Sequence, residues 1–158
     1  MNWYTSDQHY GHANIIKHCN RPFESVGEMD KFIIGQHNLL ISKDDNVYHL
    51  GDFSFQRPER YLPHLNGKHH LIRGNHDRKN IDPDNFIWIK DVHIVNKFFL
   101  SHYAHRTWPR AHHGLLHLYG HSHGMLEGTE RSMDVGVDTN SFKPYSEAEL
   151  LKRLEDVK

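Results

Sequence analysis

Leu71-Ile72-Arg73-Gly74-Asn75-His76-Asp77 is a mostly apolar run that breaks at a glycine and ends in an amide, an imidazole and a carboxylate. Read as a β-strand, it delivers its polar tail to the edge of a sheet, with the glycine permitting a backbone angle that other residues avoid. The same order recurs along the chain. Trp3-Tyr4-Thr5 leads into Asp7-Gln8-His9, and Val47-Tyr48-His49-Leu50 into Gly51-Asp52. Phe98-Phe99-Leu100-Ser101 leads into His102, and Leu115–Tyr119 into Gly120-His121-Ser122-His123. Residues i and i+2 leaving a strand point the same way, which pairs Asp7 with His9 and His121 with His123. Taken singly, each segment has a bland reading: an Asx turn at Asp7, a helix cap or turn at Asp52, a satisfied structural histidine at His102. Five recurrences in one chain favour a shared site instead. Carboxylates, an amide oxygen and imidazoles together suit divalent first-row metals, and so many donors serve two metals better than one.

Outward from these segments, strands are expected over Asn2–Ser6, Asn46–Leu50, His69–Arg73, Val92–Val95, Phe98–Ser101, Leu115–Tyr119 and Ser132–Val137, with a tight hairpin at Asn96-Lys97. Ser25-Val26-Gly27-Glu28 has capping-box spacing, and Met29, Phe32, Ile33, Leu39 and Leu40 after it suit one helix face. Ser146-Glu147-Ala148-Glu149 repeats that signature ahead of Leu150, Leu151 and Leu154. Pro58 opens a short helix that should end near Leu62, before Pro63. The first half alternates strand and helix, whereas the second is rich in consecutive strands. This predicts an α+β fold, a four-layer α/β/β/α sandwich of two packed mixed sheets flanked by helices, in one domain spanning 1–158.

Composition narrows the setting. Formal net charge is −1, so nothing global points to a nucleic-acid or membrane partner. Histidine is the outlier, with 17 residues against 19 lysines and arginines, spread along the chain rather than run together as in a tag. A single cysteine, Cys19, excludes an internal disulfide and fits a reducing compartment. The opening residues lack the basic and apolar regions of a signal peptide, and no apolar run reaches the roughly 18 residues of a membrane span. A soluble, cytoplasmic protein is expected.

The ordered set of five blocks resembles the calcineurin-like metallophosphoesterases, whose pattern is D-x-H, G-D, G-N-H-D/E, H and G-H-x-H. The resemblance runs from Asp7 to His123 and is strongest to small bacterial and phage members. These have similar openings at Thr5-Ser6-Asp7-Gln8-His9-Tyr10-Gly11-His12 and Asn20-Arg21-Pro22-Phe23, and a similar ending at Val135-Gly136-Val137-Asp138. The resemblance implies two divalent metals, manganese foremost, with iron, zinc or nickel as alternatives. Asp7, His9, Asp52 and His123 would hold one; Asp52, Asn75, His102 and His121 would hold the other, with Asp52 bridging. It implies a phosphoesterase, in particular a phosphodiesterase, acting by in-line attack of a metal-bridging hydroxide, with Asp52 and the non-ligand His76 as catalytic residues. Such a centre would lose metal below about pH 6.5 as its imidazoles protonate. The sequence departs from the family at one place: Phe55 stands where many members have a second aspartate that supports the catalytic histidine.

Around this set, His12 reads equally as a substrate contact or as support for the metal ligands. Arg21 and Arg78 are candidate phosphate contacts. The segment from His102 to His113, with His105, Arg106 and Trp108, reads equally as substrate recognition over the site or as a polar connection. A nuclease acting on DNA or RNA is the alternative enzyme, disfavoured by the absence of a basic stripe. A non-catalytic scaffold or a histidine-rich metal store would explain the composition but not the placement of donors at strand ends.

Overall fold

The computed structural model describes residues 1–77 and 81–155. Its strands are β1 (Asn2–Thr5), β2 (Asn46–His49), β3 (Lys68–Ile72), β4 (Ile89–Lys90), β5 (Val92–Val95), β6 (Phe98–Ser101), β7 (Leu116–Tyr119), β8 (Ser132–Asp134) and β9 (Tyr145–Ser146), and its helices α1 (Ala13–His18), α2 (Val26–Leu40) and α3 (Glu147–Glu155). They form an α+β fold with two mixed sheets, ordered β4-β3-β2-β1-β9 and β5-β6-β7-β8. β1, β2, β3 and β4 run parallel, and β9 pairs antiparallel to β1. In the second sheet β6, β7 and β8 run parallel and β5 is antiparallel. Parallel neighbours end at the same edge, so every donor segment leaves the carboxyl end of a strand, where open parallel sheets place their sites.

Alternation along the strands builds the core. Tyr4, Tyr48 and Ile72 of the first sheet meet Phe98, Leu100, Leu116 and Leu118 of the second, with Tyr145, Leu150 and Leu154 closing the cluster. Burying one such aliphatic side chain contributes about 1.5–3 kcal/mol. Tyr4 stacks on Tyr48 at 5.1 Å between centroids, and its hydroxyl donates to Glu147 at 2.9 Å, which seats α3 against the core. The opposite face of the first sheet, through Leu71, packs with Met29 and Ile33 of α2.

Several expectations are refined. The Ser25 hydroxyl accepts from the Glu28 amide as read, while the Glu28 carboxylate accepts from Glu24, one residue before the cap, instead of from Ser25. The buried stripe of α2 is Met29, Ile33 and His37, however, while Phe32, Leu39 and Leu40 are exposed. His37 takes a core position because its ring is hydrogen-bonded to the Asn66 carbonyl and stacks with His69. Pro63 does not end a helix at Leu62; it opens a second short turn, Leu62–His64, after the first at Pro58–Arg60. The segment between β6 and β7 packs on the outer face of the second sheet. Trp108 and His105 pack on His117, and His105 also on Phe99. Among the described residues no helix is long and apolar enough to cross a membrane.

Candidate metal centre

Five donor residues share a backbone signature: Asp7, His9, Asp52, His121 and His123 all have φ between 47° and 66°. Non-glycine residues adopt this left-handed region sparingly, and such residues gather at functional sites. Close approach of the strand ends is made possible by glycine. A Cβ on Gly120 would overlap Ser6 and the Asp7 carboxylate, one on Gly74 would overlap Asp52, and one on Gly51 would overlap the His102 ring. The Ser6 carbonyl accepts from the Val137 amide, tying the end of β1 to the segment after β8.

The donors form two sets. In the first, Asp7 Oδ1 lies 3.8 Å from His9 Nε2 and 3.9 Å from His123 Nε2. In the second, His102 Nε2 lies 2.9 Å from Asn75 Oδ1, and His121 Nδ1 lies 3.0 Å from the same oxygen. Asp52 Oδ2 joins the sets, 3.5 Å from His9 Nε2 and 3.5 Å from His102 Nε2. All seven residues that the sequence nominated as ligands are therefore together. Donor atoms bound at about 2.0–2.2 Å from one cation lie roughly 3–4 Å apart, which matches these spacings.

Neighbours determine what these atoms offer. The Leu50 carbonyl accepts from His102 Nδ1 at 2.7 Å, which turns Nε2 toward two oxygens that can only accept. His123 Nδ1 donates to Asp138 at 2.7 Å and leaves its Nε2 facing Asp7. Asp7 Oδ1 and His9 Nε2 are buried without a hydrogen-bond partner. Buried acceptors aimed at one another are costly unless a cation or proton lies between them. The donor set fits divalent metals on that ground.

The acid–base state follows the same competition. Burial pushes the Asp7 carboxyl up to about 7, against the pull of His102 and His123. Burial lowers His9 to about 3. At Asp52 burial raises the value, but His102, the His76 amide and His9 outweigh it and bring it to about 2. At His123 burial lowers the value, but the Asp138 carboxylate outweighs it and lifts the ring to about 10. Protons thus compete for the atoms that a cation would use.

The supporting residues were not assigned roles from sequence. Asp77 accepts from the amides of Asp52, Phe53 and Gly74, bracing the ends of β2 and β3 against each other. Asp134 accepts from Gly124 and Gly136. Asp138 is gripped by both Arg21 Nε and Nη2 at 2.8 Å. A signal for Asp138 was present: it follows the mostly apolar Val135-Gly136-Val137, much as Asp52 follows Leu50-Gly51.

The other nominated residues divide. His76 donates its amide to Asp52 at 2.8 Å, and its exposed ring stands 5.5 Å from that of His9. His12 lies beside the centre, its Nδ1 3.3 Å from His9 Nδ1. Phe55, at the position of the missing aspartate, stacks on His12. Arg21 is buried and donates to the Asp7 and Gln8 carbonyls as well as to Asp138, so it braces the ligand loop instead of offering its charge to the cleft. Arg78 lies outside the described residues. His105 lies on the outer face of the second sheet, where its amide donates to His117, and Arg106 beside it is exposed. A cleft of about 620 Å³ opens over the centre, lined by His9, His12, Asp52, His76, His121 and His123, and by Ile15, Cys19, Asn20 and Met125, which sequence reading had not placed there.

The fold and site together define an α+β protein of two sheets carrying a metal-type donor cluster at their shared edge. The chain is 33% identical over 162 residues to an uncharacterized protein of Methanocaldococcus jannaschii, covering 95% of this chain and 89% of the relative. It belongs to the same family as that protein. It is also 25% identical to the Gene 66 protein of Mycobacterium phage L5, over 86% of each chain. Among solved structures it is similar to a protein of unknown function from Aquifex aeolicus, with a TM-score of 0.73, 25% identity, and 96% and 98% of the two chains covered. No model of a known protein family matches the chain.

Proposed function

We propose that the protein is a binuclear metal-dependent phosphoester hydrolase, a phosphodiesterase, with a fold of the calcineurin-like metallophosphoesterase kind. The observation that carries this reading is the convergence of seven donors into two sets joined by Asp52. Asp7, His9, His123 and Asp52 would hold one divalent metal; Asp52, Asn75, His102 and His121 would hold the other. Bound there, the metals supply Lewis-acid charge for phosphoryl oxygens and lower the pKa of water.

The chain's own groups do the rest. Asp52 is kept ionised by its neighbours, so it serves both sets as an anion at neutral pH. Asp138 accepts from His123 Nδ1 and fixes the ring with Nε2 inward, a carboxylate–histidine arrangement that raises ligand basicity. Asp77 ties the His76 loop to the Asp52 loop. The His76 ring stands in the cleft, free of the donor sets, where it hydrogen-bonds or protonates the departing oxygen.

The test is metal content and turnover together. Metal-stripped protein given Mn²⁺ should take up two ions per chain and hydrolyse bis-p-nitrophenyl phosphate faster than p-nitrophenyl phosphate. Asp52→Asn should lower binding at both half-sites and abolish turnover. Uptake of two ions with neither ester hydrolysed would count against the enzyme; uptake of one or none would count against the centre.

A further inference from the structure

We propose that His12 binds substrate under control of the metal centre: joined to the back of His9 through Nδ1, it offers an Nε2–H donor to a phosphoryl oxygen. The proposal rests on the phosphoesterase reading above and deepens it. His12 is held on three sides. Its amide donates to the His9 carbonyl at 3.0 Å, and its Nδ1 lies 3.3 Å from His9 Nδ1. Its ring stacks on that of Phe55, with centroids 4.7 Å apart and planes 13° apart. It stands at the N-cap of α1, yet its side chain caps no helix amide. The half-buried ring lines the cleft. Among the described residues none is hydrogen-bonded to its Nε2.

The protons on the two rings decide what that nitrogen can do. His9 turns Nε2 toward Asp7 Oδ1 and Asp52 Oδ2, at 3.8 and 3.5 Å, as a ligand of the first half-site must. A neutral imidazole has one N–H, so a ring that gives Nε2 to a metal carries its proton on Nδ1. That N–H faces His12 Nδ1 and needs an acceptor there. Two N–H groups cannot share a 3.3 Å contact, which excludes both the imidazolium and the Nδ1–H tautomer of His12. His12 is left with its proton on Nε2, the edge turned away from His9. The His76 ring stands 5.9 Å from that of His12. Each N–H···O bond spans about 2.9 Å, so the two rings reach different oxygens of one phosphoryl group, His76 the departing one and His12 a non-bridging one. Without metal, His9 is free to carry its proton on Nε2, and His12 loses its fixed tautomer. Filling the first half-site therefore prepares a hydrogen-bond donor as well as a charge.

Two readouts test this, and neither is turnover. In the full chain labelled with ¹⁵N and loaded with Zn²⁺, long-range ring correlations should show His12 neutral, with its proton on Nε2 and Nδ1 bare. An Nδ1–H tautomer or an imidazolium at His12 would overturn the relay. The second readout is calorimetric titration of dimethylphosphinate, an unhydrolysable singly charged diester mimic, at saturating Mn²⁺, beside chelator-competition measurement of Mn²⁺ affinity. His12→Asn places an amide where Nδ1 stood, so it should keep both ions bound yet weaken the phosphinate about tenfold. His12→Gln carries its amide out toward the Nε2 position. It should hold the phosphinate better than His12→Asn does, while Mn²⁺ affinity at the first half-site falls about 10–100-fold. Phosphinate affinity unchanged in His12→Asn, or lost only in proportion to metal, would make His12 a support for His9 alone. Either result in a chain that still binds two ions and hydrolyses bis-p-nitrophenyl phosphate would sink the relay and spare the phosphoesterase reading. A parent protein that takes up two ions but neither binds the phosphinate nor hydrolyses the diester would bring down both.

Discussion

Asp138 and His76 test two different dependencies at the level of single residues. Asp138 touches only the far nitrogen of His123, yet it fixes that ring's orientation and is itself held by the buried Arg21. Asp138→Asn keeps the shape and removes the charge, so Mn²⁺ affinity at the first half-site should fall about 10–100-fold with the second barely changed. Chelator-competition titration measures this, and an unchanged pair of affinities would contradict the role. His76→Ala removes no donor of either set, so two metals should still bind while turnover falls about 10²–10⁴-fold. Parallel loss of metal and turnover would instead make His76 a structural support. The seven candidate ligands were legible because each repeats one order: apolar strand, then turn, then donor. Arg21 was misread because an arginine's role depends on which way it faces. Its carbonyl and carboxylate partners come from segments far apart in sequence.

Strand ends packed this closely should tolerate no side chain at Gly120. A methyl there overlaps Ser6 and Asp7, so Gly120→Ala should destabilise the fold by about 1–3 kcal/mol and lower metal uptake at the first half-site. Gly35 lies inside α2 with open space around it, and Gly35→Ala should stabilise by about 1 kcal/mol. Urea midpoints for the pair would show opposite shifts; the same sign for both would refute the close-approach argument. The elements themselves were readable where local rules govern them. The hairpin forms at Asn96, which takes φ 50°, and both capping serines accept helix amides. The two-residue strands β4 and β9 are too short to carry periodicity, and α1 has no side-chain cap to announce it. The segment from His102 to His113 was readable only as recognition over the site or as a connection, because nothing local shows that Trp108 and His105 turn onto His117 of the second sheet.

Histidine abundance acquires a consequence for the whole molecule beyond the metal centre. Under α2 a chain of rings and one amide, Gln8–His49–His69, is joined by contacts of 2.8 Å and 3.0 Å, with His37 stacked alongside. Burial holds His37 and His69 down at about 4 and His49 well below its ordinary value, and on the second sheet it holds His117 at about 4. In the unfolded chain these rings protonate near pH 6.5. A histidine whose folded value is depressed contributes full stability above its unfolded value, and that contribution drains as pH falls toward the folded one. Between about pH 6.5 and 4 the unfolded chain binds protons that the fold refuses, so each of His37, His69 and His117 lowers stability by up to about 1.4 kcal/mol per pH unit. Asp7 works in the opposite direction in metal-free protein, since its raised value lets the fold take up a proton near pH 7. Burial also raises the carboxyls of Asp30, Asp77 and Asp134, and these four groups are outnumbered by the buried rings of His9, His37, His49, His69, His70 and His117. The urea midpoint of metal-stripped protein should therefore fall steadily from pH 6.5 to pH 4.5, and His117→Gln should flatten the slope. A midpoint independent of pH across that window would mean the buried histidines accept protons without unfolding. Metal-loaded protein should fall more steeply still, because protonation of the ligand imidazoles releases the ions that bind only the folded state.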